Sequence, residues 1–405
     1  MAYLPTILGR AMGGTALCGV LLSPILAAGE SLQFSPELSL EITGYVDGPQ
    51  FTEQDNGLFG ALIATGDISW RSDDRDVQFV LEPYLRFDGR DDERSYADLR
   101  RGYLRYFGEG WDVTVGADRV FWGVVESVNV VDVINQRDGL ENADLNEKLG
   151  APMLRFSAQT EVGDISLFYL PTFREREYPG EESRNRIGPP VDADAATFDR
   201  AGGAGADDFA LRYSNRFGGF DVGLTYFYGT SRTPFLEFNA GTGALEPRYQ
   251  RQRQTGLEVQ YTADAWLWKL EVANVEIGED IFTAAVGGVE YTFFDVVGSG
   301  RDVGLIGEYL YDDRNPTLSP VTPFDDDFFV GTRITWNDVA DTAVLAGAIV
   351  DLDKDAVQIQ AEFQRRIGDA NLLEVEFRLV SPGTDALLKD TEQDTSVLVR
   401  WSRFF

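Results

Sequence analysis

The sequence predicts an all-β chain: a transmembrane antiparallel up-and-down β-barrel of about 18 strands, with 16 as the alternative, carrying short turns on one side and long loops on the other. Three observations predict it. Runs of about ten residues alternate apolar and polar and close in turns rich in Gly, Asp or Asn; the connections alternate between short and long; and six of the seven tryptophans gather at one end of the strands. Beyond the first 30 residues no stretch approaches 18 consecutive apolar residues, so helical membrane spans are excluded.

Composition narrows the chemistry further. The 405 residues include one cysteine and no histidine, and 35 Lys+Arg against 67 Asp+Glu leave a formal charge of -32. Without histidine there is no Ser-His-Asp or Cys-His nucleophile system and no His-ligated metal, so no catalytic residues, metal or cofactor are expected. Nucleic acid is excluded as a partner, because this charge would repel its phosphates. The spacing Asp351-x-Asp353-x-Asp355 with Glu362 imitates an EF-hand, but Ala356 stands where the sharp turn needs glycine and the segment alternates as a strand, so it reads as a hairpin tip.

The elements follow in order. Residues 1–29 carry one charge, Arg10, then an apolar run from Ala11 to Ala28 and small residues at Ala27, Ala28 and Gly29; this reads as a cleaved signal peptide, leaving 30–405 as a single barrel domain. Cys18 lies in that leader after Leu17, where a lipoprotein signal would need a small residue, so the mature chain has no thiol. The strands are expected at 36–47, 57–70, 76–88, 95–107, 111–121, 152–161, 164–174, 207–217, 219–229, 249–262, 265–277, 281–294, 301–312, 325–337, 341–351, 355–366, 371–381 and 393–405. The third sets Val77, Phe79, Leu81, Leu85 and Phe87 on one face and Gln78, Glu82, Arg86 and Asp88 on the other. The seventeenth repeats the scheme, with Leu373, Val375, Phe377 and Leu379 opposite Glu374, Glu376 and Arg378.

Threaded up and down from a periplasmic start, the strands place every tight connection on the periplasmic side and every long loop (122–151, 175–206, 230–249, 313–324 and 382–392) outside. Trp70, Trp111, Trp266, Trp268, Trp336 and Trp401 then form a periplasmic girdle, since an indole ring favours the interface. Tyr228, Tyr309, Tyr311 and Phe173 would supply the outer belt.

A barrel of this size leaves a water-filled lumen, so its inward face should be polar. Arg86, Arg101, Arg105, Arg155, Arg212, Arg333, Arg378 and Arg400 fall on that face, as do Glu41, Glu82, Glu258, Glu271, Glu290, Glu308, Glu362, Glu374 and Glu376. Two readings stay open: opposite walls of opposite sign, or cross-strand bridges that hold the wall together. Most of the net charge lies in loops and turns, where it reads as solvated surface.

The last segment, Asp394-Thr-Ser-Val-Leu-Val-Arg-Trp-Ser-Arg-Phe-Phe405, resembles the terminal signature of bacterial outer-membrane β-barrel proteins, although Arg403 replaces the usual apolar residue third from the end. The resemblance implies location in the outer membrane of a Gram-negative bacterium, contact with its lipid and lipopolysaccharide, and recognition of Phe405 by the barrel assembly machinery. A narrower likeness lies in Asp118-Arg-Val-Phe-Trp-Gly123, Val131-Asp-Val-Ile-Asn-Gln-Arg-Asp138 and Glu147-Lys-Leu-Gly-Ala-Pro152, which are similar to segments of porin-like outer-membrane proteins. It implies a channel for passive diffusion of small polar solutes, constricted by an inward-folded loop at 122–151, and by analogy with porins of this size a homotrimer. On that loop Trp122, Glu126, Asp132, Asn135, Arg137 and Asp138 would face the lumen, with Arg101, Arg105 and Arg155 opposite. A substrate-specific uptake protein and a non-conducting structural or adhesive barrel are the alternatives.

Overall fold

The structure, a computed structural model, describes residues 32–141 and 146–405, so the leader expected over 1–29 lies outside the described residues. In chain order the strands are β1 (Leu32–Tyr45), β2 (Leu58–Arg71), β3 (Val77–Asp88), β4 (Tyr96–Gly108), β5 (Trp111–Asp118), β6 (Ala151–Thr160), β7 (Gly163–Leu170), β8 (Thr197–Phe198), β9 (Asp208–Phe217), β10 (Phe220–Thr230), β11 (Phe235–Asn239), β12 (Ala244–Tyr249), β13 (Arg251–Ala263), β14 (Trp266–Ile277), β15 (Asp280–Phe293), β16 (Asp302–Asp312), β17 (Asp326–Thr335), β18 (Ala343–Asp351), β19 (Val357–Ile367), β20 (Asn371–Ser381) and β21 (Ser396–Phe404). Eighteen of them form one sheet, all but β8, β11 and β12. Each pairs antiparallel with its neighbour along the chain, and β21 returns to β1 in the register Glu41↔Arg400, so the sheet closes and leaves no bare edge.

Burial follows the two-residue period but with its sign reversed relative to a soluble protein. On β1, Leu40 is 52% exposed while its neighbour Glu41 is 2% exposed. Leu38 and Ile42 share the outer register with Leu40, and Ser39 shares the inner one with Glu41. Apolar side chains thus point away from the barrel and polar ones into it, which is stable only when the outside is hydrocarbon. All six girdle tryptophans lie at the strand ends that bear the tight turns, and Trp266 stacks on Trp268 at 5.9 Å. At the opposite ends Tyr309 and Tyr311 are exposed on the outer face. Phe173 is not part of that belt. It is buried against Phe198 and Tyr249 beneath the loops, because β7 ends at Leu170 and the chain has already turned inward.

Two further expectations change, and the hairpin tip read over 351–355 is kept. β5 stops at Asp118, three residues early, where its Oδ1 accepts the Arg119 N–H at 2.9 Å and turns the chain away from the ladder. The loops expected over 175–206 and 230–249 hold the second sheet, in which β11 and β12 form a hairpin and β8 adds in parallel. The tip between β18 and β19 is drawn together by Lys354, whose ammonium reaches Asp325 at 2.7 Å and Asp351 and Asp385 at 3.3 Å each. A fixed lysine charge occupies the centre that a cation would need.

Pro83 in β3 has the largest consequence for the lumen. Proline cannot donate to the ladder, and the register with β4 slips there: Glu82 pairs with Arg101 and Pro83 with Leu99. Arg100 is the extra residue of the bulge. Both Arg100 and Arg101 therefore reach inward, where strict alternation would send one of them out to lipid.

Candidate functional site: a loop held inside the barrel

Between β5 and β6, residues 119–141 and 146–150 leave the wall and enter the lumen. The segment is rich in valine, and those side chains pack on the inner wall. Val120, Trp122, Val131, Val133 and Ile134 bury against Met153, Phe168, Leu170, Ala210 and Phe227 of β6, β7, β9 and β10. Trp122 meets Phe168 edge-on at 5.7 Å. Farther along, Val125 packs on Val286, Ile306, Leu310 and Phe329 of β15 to β17. The loop thus spans the lumen between two stretches of wall.

A run of backbone N–H groups brought into such a site needs acceptors, and three buried wall glutamates provide them. Glu258 of β13 accepts from Gly123 N–H at 2.8 Å. Glu271 of β14 accepts from the Val124 and Val125 N–H groups at 2.6 and 3.1 Å, and from Asn129 Nδ2 at 3.0 Å. Glu308 of β16 accepts from the Glu126 and Ser127 N–H groups, both at 2.8 Å, and from the Ser127 hydroxyl at 2.7 Å. Charge-assisted bonds of this kind are each worth about 1.5–3 kcal/mol. Glu126 completes the clamp by reaching Arg333 at 2.5 Å and Lys269 at 3.7 Å.

The rest of the loop is tied to the near wall. Arg100 donates to Asp138 at 2.6 Å and to Glu141 at 3.0 Å, while its guanidinium lies 4.1 Å from the Tyr84 ring centre. Arg94 donates to the Leu140 and Glu141 carbonyls at 2.7 and 2.9 Å. Asn135 Nδ2 donates to the Asp118 and Leu149 carbonyls, both at 2.9 Å, and its Oδ1 accepts from Val120 N–H. Asp132 pairs with Lys148 and, at 3.3 Å, with Arg137. Burial pushes the Glu141 carboxyl up to about 7, reinforced by the Glu147 charge and opposed by Arg400 and Arg100. Burial likewise pushes the Lys148 ammonium down to about 8, with Asp132 pulling it back.

The residues expected at the constriction therefore divide. Glu126 and Arg333 meet where the loop packs on the wall at β16 and β17. Trp122, Asp132, Asn135 and Asp138 are buried between loop and wall, with Arg137 beside Asp132. Arg101 is paired with Glu82 at 2.5 Å and Asp67 at 2.8 Å, Arg155 with Asp118 at 3.5 Å, and Arg105 with Asp118 at 3.8 Å. Arg86 bonds Glu41 at 2.7 Å, and Arg212 bonds Glu258. On this side of the barrel the cross-strand bridging reading holds. Arg94 and Arg100 were missed: the first lies in a loop and the second on the wrong parity, although Pro83 in mid-strand was a legible sign of a bulge.

Glu374, Glu376 and Arg378 stand elsewhere, on the wall of β18 to β20. Their inward neighbours Glu362 and Gln364 on β19 are exposed although they point into the barrel, whereas the inward residues of β14 are mostly buried. On β18, by contrast, Leu345 and Ile349 are half-buried against the apolar cluster that the loop forms around Val125.

A closed 18-stranded barrel, apolar outside and polar inside with a long loop packed in its lumen, has the fold of outer-membrane porins. Among solved structures it is similar to OccAB1 of Acinetobacter baumannii (TM-score 0.54, 8% identity, 92% of this chain and 96% of that one). It is also similar to OccK11 (OpdR) of Pseudomonas aeruginosa (0.53, 10%, 92% and 96%) and to a BenF-like porin from Pseudomonas fluorescens Pf-5 (0.53, 10%, 93% and 98%). No family model matches the chain, and no curated protein matches its sequence.

Proposed function

We propose that the protein is a passive channel in the outer membrane of a Gram-negative bacterium. Small polar solutes pass along β19 and β20, beside the loop formed by residues 119–141 and 146–150. The exposure of Glu362 and Gln364 inside a closed barrel carries this reading: side chains on the inner register meet water there, while the inward residues of β14 are mostly buried. The test is single-channel recording in a planar bilayer with the purified, folded protein. A steady current is expected; no current at any voltage would leave a non-conducting barrel in its place.

A further inference from the structure

The loop between β7 and β9, residues 171–207, crosses the long-loop end of the barrel and ties itself to loops on the far side. Gly180 N–H donates to Asp91 Oδ2 at 3.0 Å, and the Glu182 carbonyl accepts from Asp55 N–H at 2.9 Å. The Ser183 carbonyl accepts from Gln54 Nε2, and Asn185 Oδ1 accepts from the Tyr45 hydroxyl, both at 3.1 Å. Arg184 is the centre of this strap. Its guanidinium is fully buried and lies 4.3 Å from the Tyr45 ring centre. It donates to Asp394 Oδ1 at 3.0 Å, to the Gln393 carbonyl at 2.7 Å and to the Asp47 carbonyl at 3.3 Å. One side chain thus joins the loop after β7 to the loops after β1 and before β21.

Directly below lies a chamber of about 30 Å³, bounded by Asn185 of the strap, Arg94, and the inward residues Tyr45, Glu376, Arg378 and Ser396. That is room for on the order of two water molecules. These wall residues belong to the outer ends of β1, β20 and β21, so the chamber sits over the outer end of the lumen on that side.

We propose that residues 174–190, clasped by Arg184, form a second constriction at the outer mouth and set which solutes enter. The inference rests on the channel reading above. The lining carries both signs of charge and three hydroxyls, of Thr43, Tyr45 and Ser396, but little apolar surface, so the solute it suits is small, hydrogen-bonding and uncharged or zwitterionic. Such a solute is larger than the chamber, and the strap must lift for it to pass.

Two variants test this through conductance and the size of polyethylene glycol excluded from the pore. Arg184→Ala removes the clasp; it is expected to raise conductance about twofold and to admit larger polymers, the opening that a narrow gate predicts. Asp55→Cys with Glu182→Cys places thiols at backbone-bonded positions in a barrel whose described residues contain no cysteine. Oxidation is expected to lower the current and reductant to restore it. Folding is checked by heat-modifiable gel migration, and the cysteine pair keeps the test alive if Arg184→Ala does not fold. Steady current that both changes leave at the parent value, with the same polymer cut-off, overturns the strap and leaves the channel standing. Absence of current from every form, oxidised or reduced, overturns the channel reading and the strap with it.

Discussion

The two sides of the lumen start from the same pattern, inward polar residues alternating with outward apolar ones, and reach opposite ends. On β13, β14 and β16 the inward glutamates are dry and hold the backbone of a loop; on β19 Glu362 meets water, and Glu374 and Glu376 of β20 are half-buried. Charge on a channel wall is therefore no guide to what a solute encounters until its partners are known. The valine-rich segment after β5 makes the difference. It buries apolar surface on one side of the barrel and brings N–H groups that the glutamates there satisfy.

The largest way to break this contrast is Glu271→Ala. It leaves the N–H groups of Val124 and Val125 without an acceptor in a buried site and should cost roughly 3–5 kcal/mol of loop anchoring. Flickering current and a raised mean conductance are expected; a trace as quiet as that of the parent protein would show that the loop is held by its valines alone. Arg100→Ala comes next, since among the described residues it takes the only guanidinium from Asp138 and leaves Glu141 with Arg400 alone, at a cost of about 3 kcal/mol. The temperature at which the folded gel band disappears should fall, and Arg101→Ala should lower it less because its partners are far better hydrated. On the other side of the lumen, Glu362→Gln removes a negative charge from the inward face of β19 and should shift the reversal potential toward anions. In a tenfold salt gradient, where perfect selectivity gives ~59 mV, a shift on the order of 10 mV is expected. An unchanged potential would mean that ions do not pass β19. The smallest effect belongs to Trp268→Ala on the outer face, about 1 kcal/mol, read as a lower unfolding temperature in lipid.

The strands were legible because the two-residue period reports a physical boundary on each face, lipid outside and water or polar contact inside. Every expected strand has its counterpart, with ends displaced by a few residues where a side chain such as Asp118 caps the ladder. The lumen was less legible. Arg100 lies inside only because proline breaks the ladder one strand away. Glu258, Glu271 and Glu308 were placed on the correct face, but their partners are backbone groups more than 130 residues away in sequence. The strap left no trace in any periodicity, since Arg184 acts mainly on carbonyl groups, which every residue possesses.

The seam between β1 and β21 has a bearing on how the molecule comes into being. Glu41 accepts from Arg86 of β3 through one oxygen and from Arg400 of β21 through the other, both at 2.7 Å, while the Ser39 and Ser402 hydroxyls meet at 2.7 Å. Before the final nine-residue strand docks, the sheet has two unpaired borders, at β1 and at β20, and Glu41 lacks one of its two cations. A nascent chain at that stage is a different object from a weakened barrel. It is sticky along both borders and a ready substrate for proteolytic surveillance, and docking of one strand removes both liabilities together.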